Sequence, residues 1–368
     1  MGKSGIFFAE TQAEKEAVYR FRYTIYVTEM GRYKSSADHE RKMLFDADDA
    51  TARIVYALQD DEVVATSRLN WGGDAPFSRR QTDMYMLEPF LAELPAEALA
   101  IGERAMIKPE LRGSKLFQKL NEAVAKFVND HRVQLVFGAC EPHLLNSYVA
   151  RGMRTYSSKN INSPESGYLI PVVYVVEDVK YLRRIRSPAA LFARNFGKDA
   201  RVPECVERLI ERGGNVMSQR LVDSRDYYGE IQDALDVLAE NRISALDDLD
   251  KGELDRVLGK SNIIQCQAGD RVLKKGGVAR NLFVVLDGNL EARDGDRLLR
   301  VMTAGDVFGE ISFLLESPRT VDVYAATDAR ILSLSESNLR ELIASKPTIA
   351  GKLLLNISKI LARRLASG

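Results

Sequence analysis

The 368-residue chain balances 52 basic against 52 acidic side chains, a formal net charge of zero, so no global field recruits nucleic acid. No apolar run approaches the ~18 residues of a membrane span; the best candidate, residues 168–176, is short and broken by Pro171. Cys140, Cys205 and Cys266 lie far apart and His39, His131 and His143 are the only histidines. This excludes a disulfide framework and a histidine-rich metal site, and points to a soluble, cytoplasmic protein of about two to three domains with no metal.

Apolar periodicity predicts an amphipathic helix over residues 13–27, strands near 52–58 and 63–69, a helix near 116–130 and a strand over 133–139. That mixture of periods predicts an α/β domain. From about residue 157 to 240 the text turns charged and helical, with breaks at Pro188, Gly197, Pro203 and Gly213-Gly214, as expected of an extension and a helical linker. Lys180, Arg183, Arg184 and Arg186, then Arg194, Lys198 and Arg201, form a basic tract beside Leu191, Phe192 and Phe196. Such a tract suits an acidic partner or a membrane surface, or is simply a solvated face. A helical pattern of Ile231, Leu235, Leu238, Ile243, Leu246, Leu249 and Leu254 leads into short alternating strands at 282–286, 320–324 and 329–334. Gly269-Asp270, Gly276-Gly277, Gly288 and Gly305-Asp306 fall where those strands must turn, the pattern of a small jelly-roll barrel, and residues 336–366 return to helical spacing.

Within the barrel, Phe308-Gly309-Glu310-Ile311-Ser312 and, further on, Arg319-Thr320 place an acid, a short turn of helix and an arginine in the order that a cyclic ribose phosphate needs. Glu310 can accept a hydrogen bond from a ribose 2′-hydroxyl, Arg319 can pair with the cyclic phosphate, and backbone N–H groups near Ile311 can donate to the same phosphate. Residues 241–368 resemble the cyclic-nucleotide-binding domain of bacterial catabolite activators and cyclic-nucleotide-dependent kinases. The resemblance implies a nucleotide effector, with cAMP favoured over cGMP although Thr320 is compatible with both, and C-terminal helices that close over the ligand.

In the front half, residues 17–27 with Arg22, then Asp46 in 45–50, then Arg68 in 63–69, resemble the acyl-homoserine-lactone autoinducer synthases and long-chain N-acyl amino acid synthases of the Gcn5-related N-acyltransferase (GNAT) fold. The resemblance implies that Arg22, Asp46, Arg68 and Arg104 serve the acceptor or the structure. Met106, Ile107, Arg112, Gly113, Ser114 and Lys115 stand where that fold runs from its fourth strand into a phosphate-binding turn and helix, and so are expected to bind the acyl donor. Lys115 and Phe117 replace the glycines usual in users of acetyl-CoA, which suits a carrier-protein arm with a single phosphate. Residues 140–153 resemble the last strand-helix unit, with Tyr148 as general acid for the departing thiolate and Glu103 as candidate base for the amine. In the autoinducer synthases the acid lies three positions before the arginine, at Ile101 here.

The expected fold class is therefore α+β: a mixed-sheet GNAT-like domain (1–160), an extension and helical linker (161–240) and a jelly-roll cyclic-nucleotide-binding domain with flanking helices (241–368). The expected function is a cyclic-nucleotide-regulated N-acyltransferase that moves a fatty acyl group from acyl carrier protein or coenzyme A thioester to a small amine. Alternatives are a regulated protein lysine acetyltransferase using acetyl-CoA, and a non-catalytic signalling module. No nucleic acid and no transmembrane segment are expected, and a homodimer stays open.

Overall fold

The computed structural model describes residues 2–195, 202, 204–211, 214–218, 221, 229, 245–259, 261–278, 281–315 and 317–367. Ile231, Leu235, Leu238 and Ile243 of the expected lead-in helix, and Phe196, Lys198 and Arg201 of the basic tract, lie outside them. The chain forms two compact units, Met1–Ala139 with Val172–Leu209, and Cys140–Pro171 with Ile210–Gly368.

The first unit is built on strands β1 (Gly5–Phe8), β2 (Arg53–Gln59), β3 (Glu62–Trp71), β4 (Leu99–Ile107) and β5 (Leu135–Cys140), adjacent in that order, with β8 (Gly167–Val175) beyond β5. The first four pair antiparallel and β4 pairs parallel with β5, giving a mixed sheet. Alternation along β2 explains its near-continuous apolar run. Ile54 and Tyr56 pack with Val18, Tyr19 and Phe21 of the helix Gln12–Arg22, while Val55 and Ala57 pack with Leu120 of the helix Leu116–Asp130. Helices thus cover both faces. The first helix starts at a capping box: the Thr11 hydroxyl accepts from Glu14 N–H and the Glu14 carboxylate accepts from Thr11 N–H at 2.9 Å. It does not run as one α-helix to residue 27. After Arg22 it widens into a π-helix, Tyr23–Glu29, through a stretch rich in β-branched and aromatic residues that crowd an ordinary turn.

Two features of β4 set the positions of its charged residues. Its parallel pairing with β5 covers Leu99, Ala100 and Ile101. Its pairing with β3 shifts register between Thr66↔Met106 and Arg68↔Glu103, one extra residue on β4, and Arg104 at that bulge has φ +53°.

The second unit contains β6 (Met153–Thr155), β7 (Ile161–Ser163), paired antiparallel with the start of β8, and two antiparallel sheets. One runs β15 (Val307–Phe308), β12 (Asn281–Asp287), β17 (Ala329–Ser335), β10 (Asn262–Cys266), β9 (Val216–Ser218). The other runs β11 (Arg271–Leu273), β16 (Asp322–Ala325), β13 (Leu290–Asp294), β14 (Arg297–Met302). Leu282, Val284, Val307, Leu332 and Leu334 pack with Val257, Leu258, Phe313, Leu342, Leu353 and Ile357 in one apolar core. The C-terminal apolar pattern is two helices, Glu336–Ser345 and Pro347–Ser367, because the residue before a proline, Lys346, is driven out of helical geometry. Among the described residues no helix is long and apolar enough to cross a membrane.

Candidate functional site

In the second unit the chain turns between β15 and the helix Glu310–Leu315 at Gly309, φ +78°. A Cβ there would lie 2.6 Å from Arg319 Nη1 and 2.9 Å from the Asn281 carbonyl oxygen, so only glycine admits the guanidinium. Arg319 Nη1 donates to the Gly309 carbonyl at 2.7 Å and Nη2 to the Asn281 carbonyl at 2.8 Å. The side chain is 4% exposed, and its Nε has no acceptor among the described residues. Burial draws its pKa down to about 10, with Glu310 and Glu141 opposing. A buried guanidinium resting on carbonyl oxygens, with one N–H orphaned, attracts an anion.

Glu310 opens the short helix and is buried. Its Oε1 accepts from Arg364 Nη1 at 2.5 Å, and Arg364 also donates to the Val307 carbonyl, so the helix Pro347–Ser367 reaches the acid. Phe308 stacks on Phe283 with ring centroids 5.0 Å apart. Ser312 is buried, whereas Ile311 and Thr320 face solvent. Glu310 lies close enough to Arg319 to act on its charge.

The first unit gathers a buried charge network around Arg68 within β3 and Glu103 and Arg104 within β4, beside the register shift. Arg68, 1% exposed, reaches Asp46 at 2.5 Å and Asp49 at 3.2 Å, and bonds Glu103. Arg22, the last residue of the first helix, donates to Asp49 at 2.7 Å, and Arg104 donates to Asp46 at 2.5 Å while lying over the rings of Tyr33 and Tyr26. Burial alone would raise the Asp46 and Glu103 pKa values. Arg68 and Arg104 outweigh it at Asp46, and Arg68 and Arg80 at Glu103, so both carboxyls sit below the usual range. Buried N–H groups are left over: Nε and Nη2 of Arg22, Nε of Arg68, Nε and Nη1 of Arg104 have no acceptor among the described residues.

Around the donor residues, Met106 and Ile107 pair with β3 on the part of β4 beyond its pairing with β5. Gly113 has φ +83° in the turn before the helix Leu116–Asp130, Arg112 reaches Glu29 at 2.7 Å, and the Ser114 hydroxyl accepts from Leu116 N–H at 3.2 Å. Lys115 takes the N-cap position without a side-chain cap. Tyr148 lies on the helix Leu145–Ala150, in the second unit, whereas Glu103 belongs to the first. Sequence reasoning passes over Arg80, which bonds Asp48 and lies 3.2 Å from Glu103, and Tyr85, whose hydroxyl donates to Glu103 at 2.8 Å. The available signal is the capping box at Ser78 and Gln81, which starts a helix at Arg79 and points to an element between β3 and β4.

Residues 263–346 match the family model of the cyclic nucleotide-binding domain and residues 21–122 that of the acetyltransferase (GNAT) domain. The chain is 37% identical over 99 residues to a mouse (Mus musculus) cyclic nucleotide-gated channel beta-3, covering 25% of this chain and 14% of the channel. It is 34% identical over 102 residues to a CRP-like cAMP-activated global transcriptional regulator of Mycobacterium tuberculosis, covering 26% of this chain and 44% of the regulator. The chain thus spans less than half the length of these curated relatives. A CoA-dependent acyl-homoserine lactone synthase, solved with SAM and isopentyl-CoA, superposes with a TM-score of 0.39 at 16% identity, covering 56% of this chain and 99% of the synthase.

Proposed function

We propose that this chain, a GNAT acyltransferase domain joined to a cyclic nucleotide-binding domain, is an N-acyltransferase whose activity a cyclic nucleotide sets. The observation that carries the reading is Arg319, buried, bonded to carbonyl oxygens and short of an acceptor, with Glu310 near enough to act on its charge. In this reading the cyclic phosphate, of cAMP before cGMP, takes the free face of Arg319 and the ribose hydroxyl takes Glu310. A fatty acyl thioester of carrier protein or coenzyme A lies along the end of β4, its phosphate near Arg112, Gly113, Ser114 and Lys115. Glu103, held ionised between Arg68 and Arg80, attracts the acceptor ammonium and passes its proton on through water, and Tyr148 protonates the departing thiolate.

Calorimetric titration with cAMP and cGMP, repeated on Arg319→Ala, tests the sensor. Losing two charge-assisted contacts, each worth about 1.5–3 kcal/mol, should weaken binding by at least ~100-fold. Transfer from acyl-CoA and acyl carrier protein thioesters, with and without nucleotide, tests the enzyme. A turnover indifferent to bound nucleotide removes the regulation, and no transfer from either donor removes the catalysis.

A further inference from the structure

The segment Cys140–Pro171 interrupts the first unit, between Ala139 and Val172, yet packs as part of the second. Polar contacts hold it there. Asn162 Nδ2 donates to Asp270 Oδ1 at 3.1 Å while its Oδ1 accepts from Arg271 N–H at 3.1 Å, so both ends of one amide are used on β11 and the turn before it. Asn160 donates to the Gln265 carbonyl at 2.9 Å, and the Tyr168 hydroxyl meets Cys266 Sγ at 3.4 Å. Lys274 Nζ donates to the Pro164 carbonyl. The turn Pro142–Leu144 packs on β17.

The loop that Lys274 opens also grips the phosphate-site arginine by its main chain. Gly276 N–H donates to the Arg319 carbonyl at 2.8 Å, and Arg319 N–H donates to the Gly277 carbonyl at 2.8 Å. One short loop thus touches Arg319 on one side and Pro164 on the other. At the far end of the same segment, Glu141 lies close enough to act on the Arg319 charge. Tyr148 sits seven positions beyond Glu141.

We propose that Cys140–Pro171 is the coupling element of the protein: an anion arriving at Arg319 shifts the Lys274–Gly277 loop and the charge facing Glu141, and the segment carries that change to Tyr148 and, through its covalent ends, to β5 and β8. This rests on the proposed function and adds the route of regulation.

The test is hydrogen exchange of the full chain with and without saturating cAMP, after titration has established whether cAMP binds. Amides within 141–168 should change protection by at least about fivefold, the lower end of ordinary allosteric coupling. In Asn162→Ala/Lys274→Met that response should vanish. Reciprocity requires the variant's affinity for cAMP to change by a similar factor. Tight binding with protection changes confined to 269–320 and 336–367 overturns the proposal while leaving the sensor intact. A wild-type chain that binds no nucleotide overturns the sensor and this route together.

Discussion

Arg68→Met would leave Asp46, Asp49 and Glu103 facing one another without the guanidinium that binds all three. Arg68 is 1% exposed, so water cannot take its place, and methionine refills much of the stem's volume, which separates charge from packing. Removing one partner of a buried ion pair costs about 3–5 kcal/mol. At about 2–4 °C per kcal/mol for a unit of this size, the first unit should melt roughly 6–20 °C earlier. The dependence on pH has a definite sign. Asp46 and Glu103 have folded pKa values below their ordinary 3.8 and 4.5, so their ion pairs stabilise the fold above those values and the benefit is lost as pH falls through the lower folded ones. Wild type should therefore lose more stability than Arg68→Met on acidification below about pH 4, and the gap between them should narrow. Scanning calorimetry of the full chain at neutral and acidic pH reads both effects. A neutral-pH shift under about 3 °C, or a gap that widens on acidification, would refute the picture of one buried arginine binding three carboxylates at once.

Two glycines should respond differently to alanine. Gly113 has φ +83° with nothing near its would-be Cβ, so Gly113→Ala should cost about 1–2 kcal/mol of backbone strain, read by denaturant melting, whereas Gly309→Ala drives a methyl onto Arg319 and should also weaken cAMP binding at least ~10-fold by titration. Arg364→Ala frees Glu310 from a partly exposed ion pair worth about 0.5–1 kcal/mol, so cAMP should bind roughly two- to fivefold tighter; weaker binding would mean that Arg364 supports the nucleotide. Tyr148→Phe should lower kcat about 100-fold or more with KM little changed, measured by thiol release; an unchanged kcat removes the general acid.

The sequence discloses elements better than their junctions. The helix expected at 116–130 is the helix Leu116–Asp130, and strands expected at 282–286 and 329–334 lie within β12 and β17, because each has an unbroken period and a clear stop. The helix expected over 13–27 keeps its start, which a local capping box writes, and changes type at Tyr23, where the deciding contacts are tertiary. Arg22, Asp46 and Arg68 are marked by the family resemblance, which puts its acid at Ile101 and not at Glu103; all the same Glu103 meets Arg68, and Arg80 and Tyr85 join it from 23 and 18 positions away, on a short helix and its end, whose path across the sheet no periodicity specifies. The pairing of Glu310 with Arg364, 54 positions later, is likewise a product of how one helix returns across a sheet. The docking of residues 140–171 on the second unit is illegible for the same reason, since Asn160, Asn162 and Lys274 are ordinary polar residues until the fold opposes them.

That interleaving also governs how the protein is made and how it can be divided. The chain leaves the first unit at Ala139, returns at Val172 and leaves again at Leu209, so no single cut yields two whole units. During synthesis the first unit cannot complete its packing until residues 172–209 have emerged, and residues 140–171 must wait for partners such as Gln265, Asp270 and Lys274, which are 105 to 110 positions later in the chain. Long sequence separation of this kind slows folding and prolongs exposure of unpaired strands. A fragment ending near residue 160 would expose β5 and lose the tail of the sheet, and should be recovered as aggregate, whereas the whole chain can bury both.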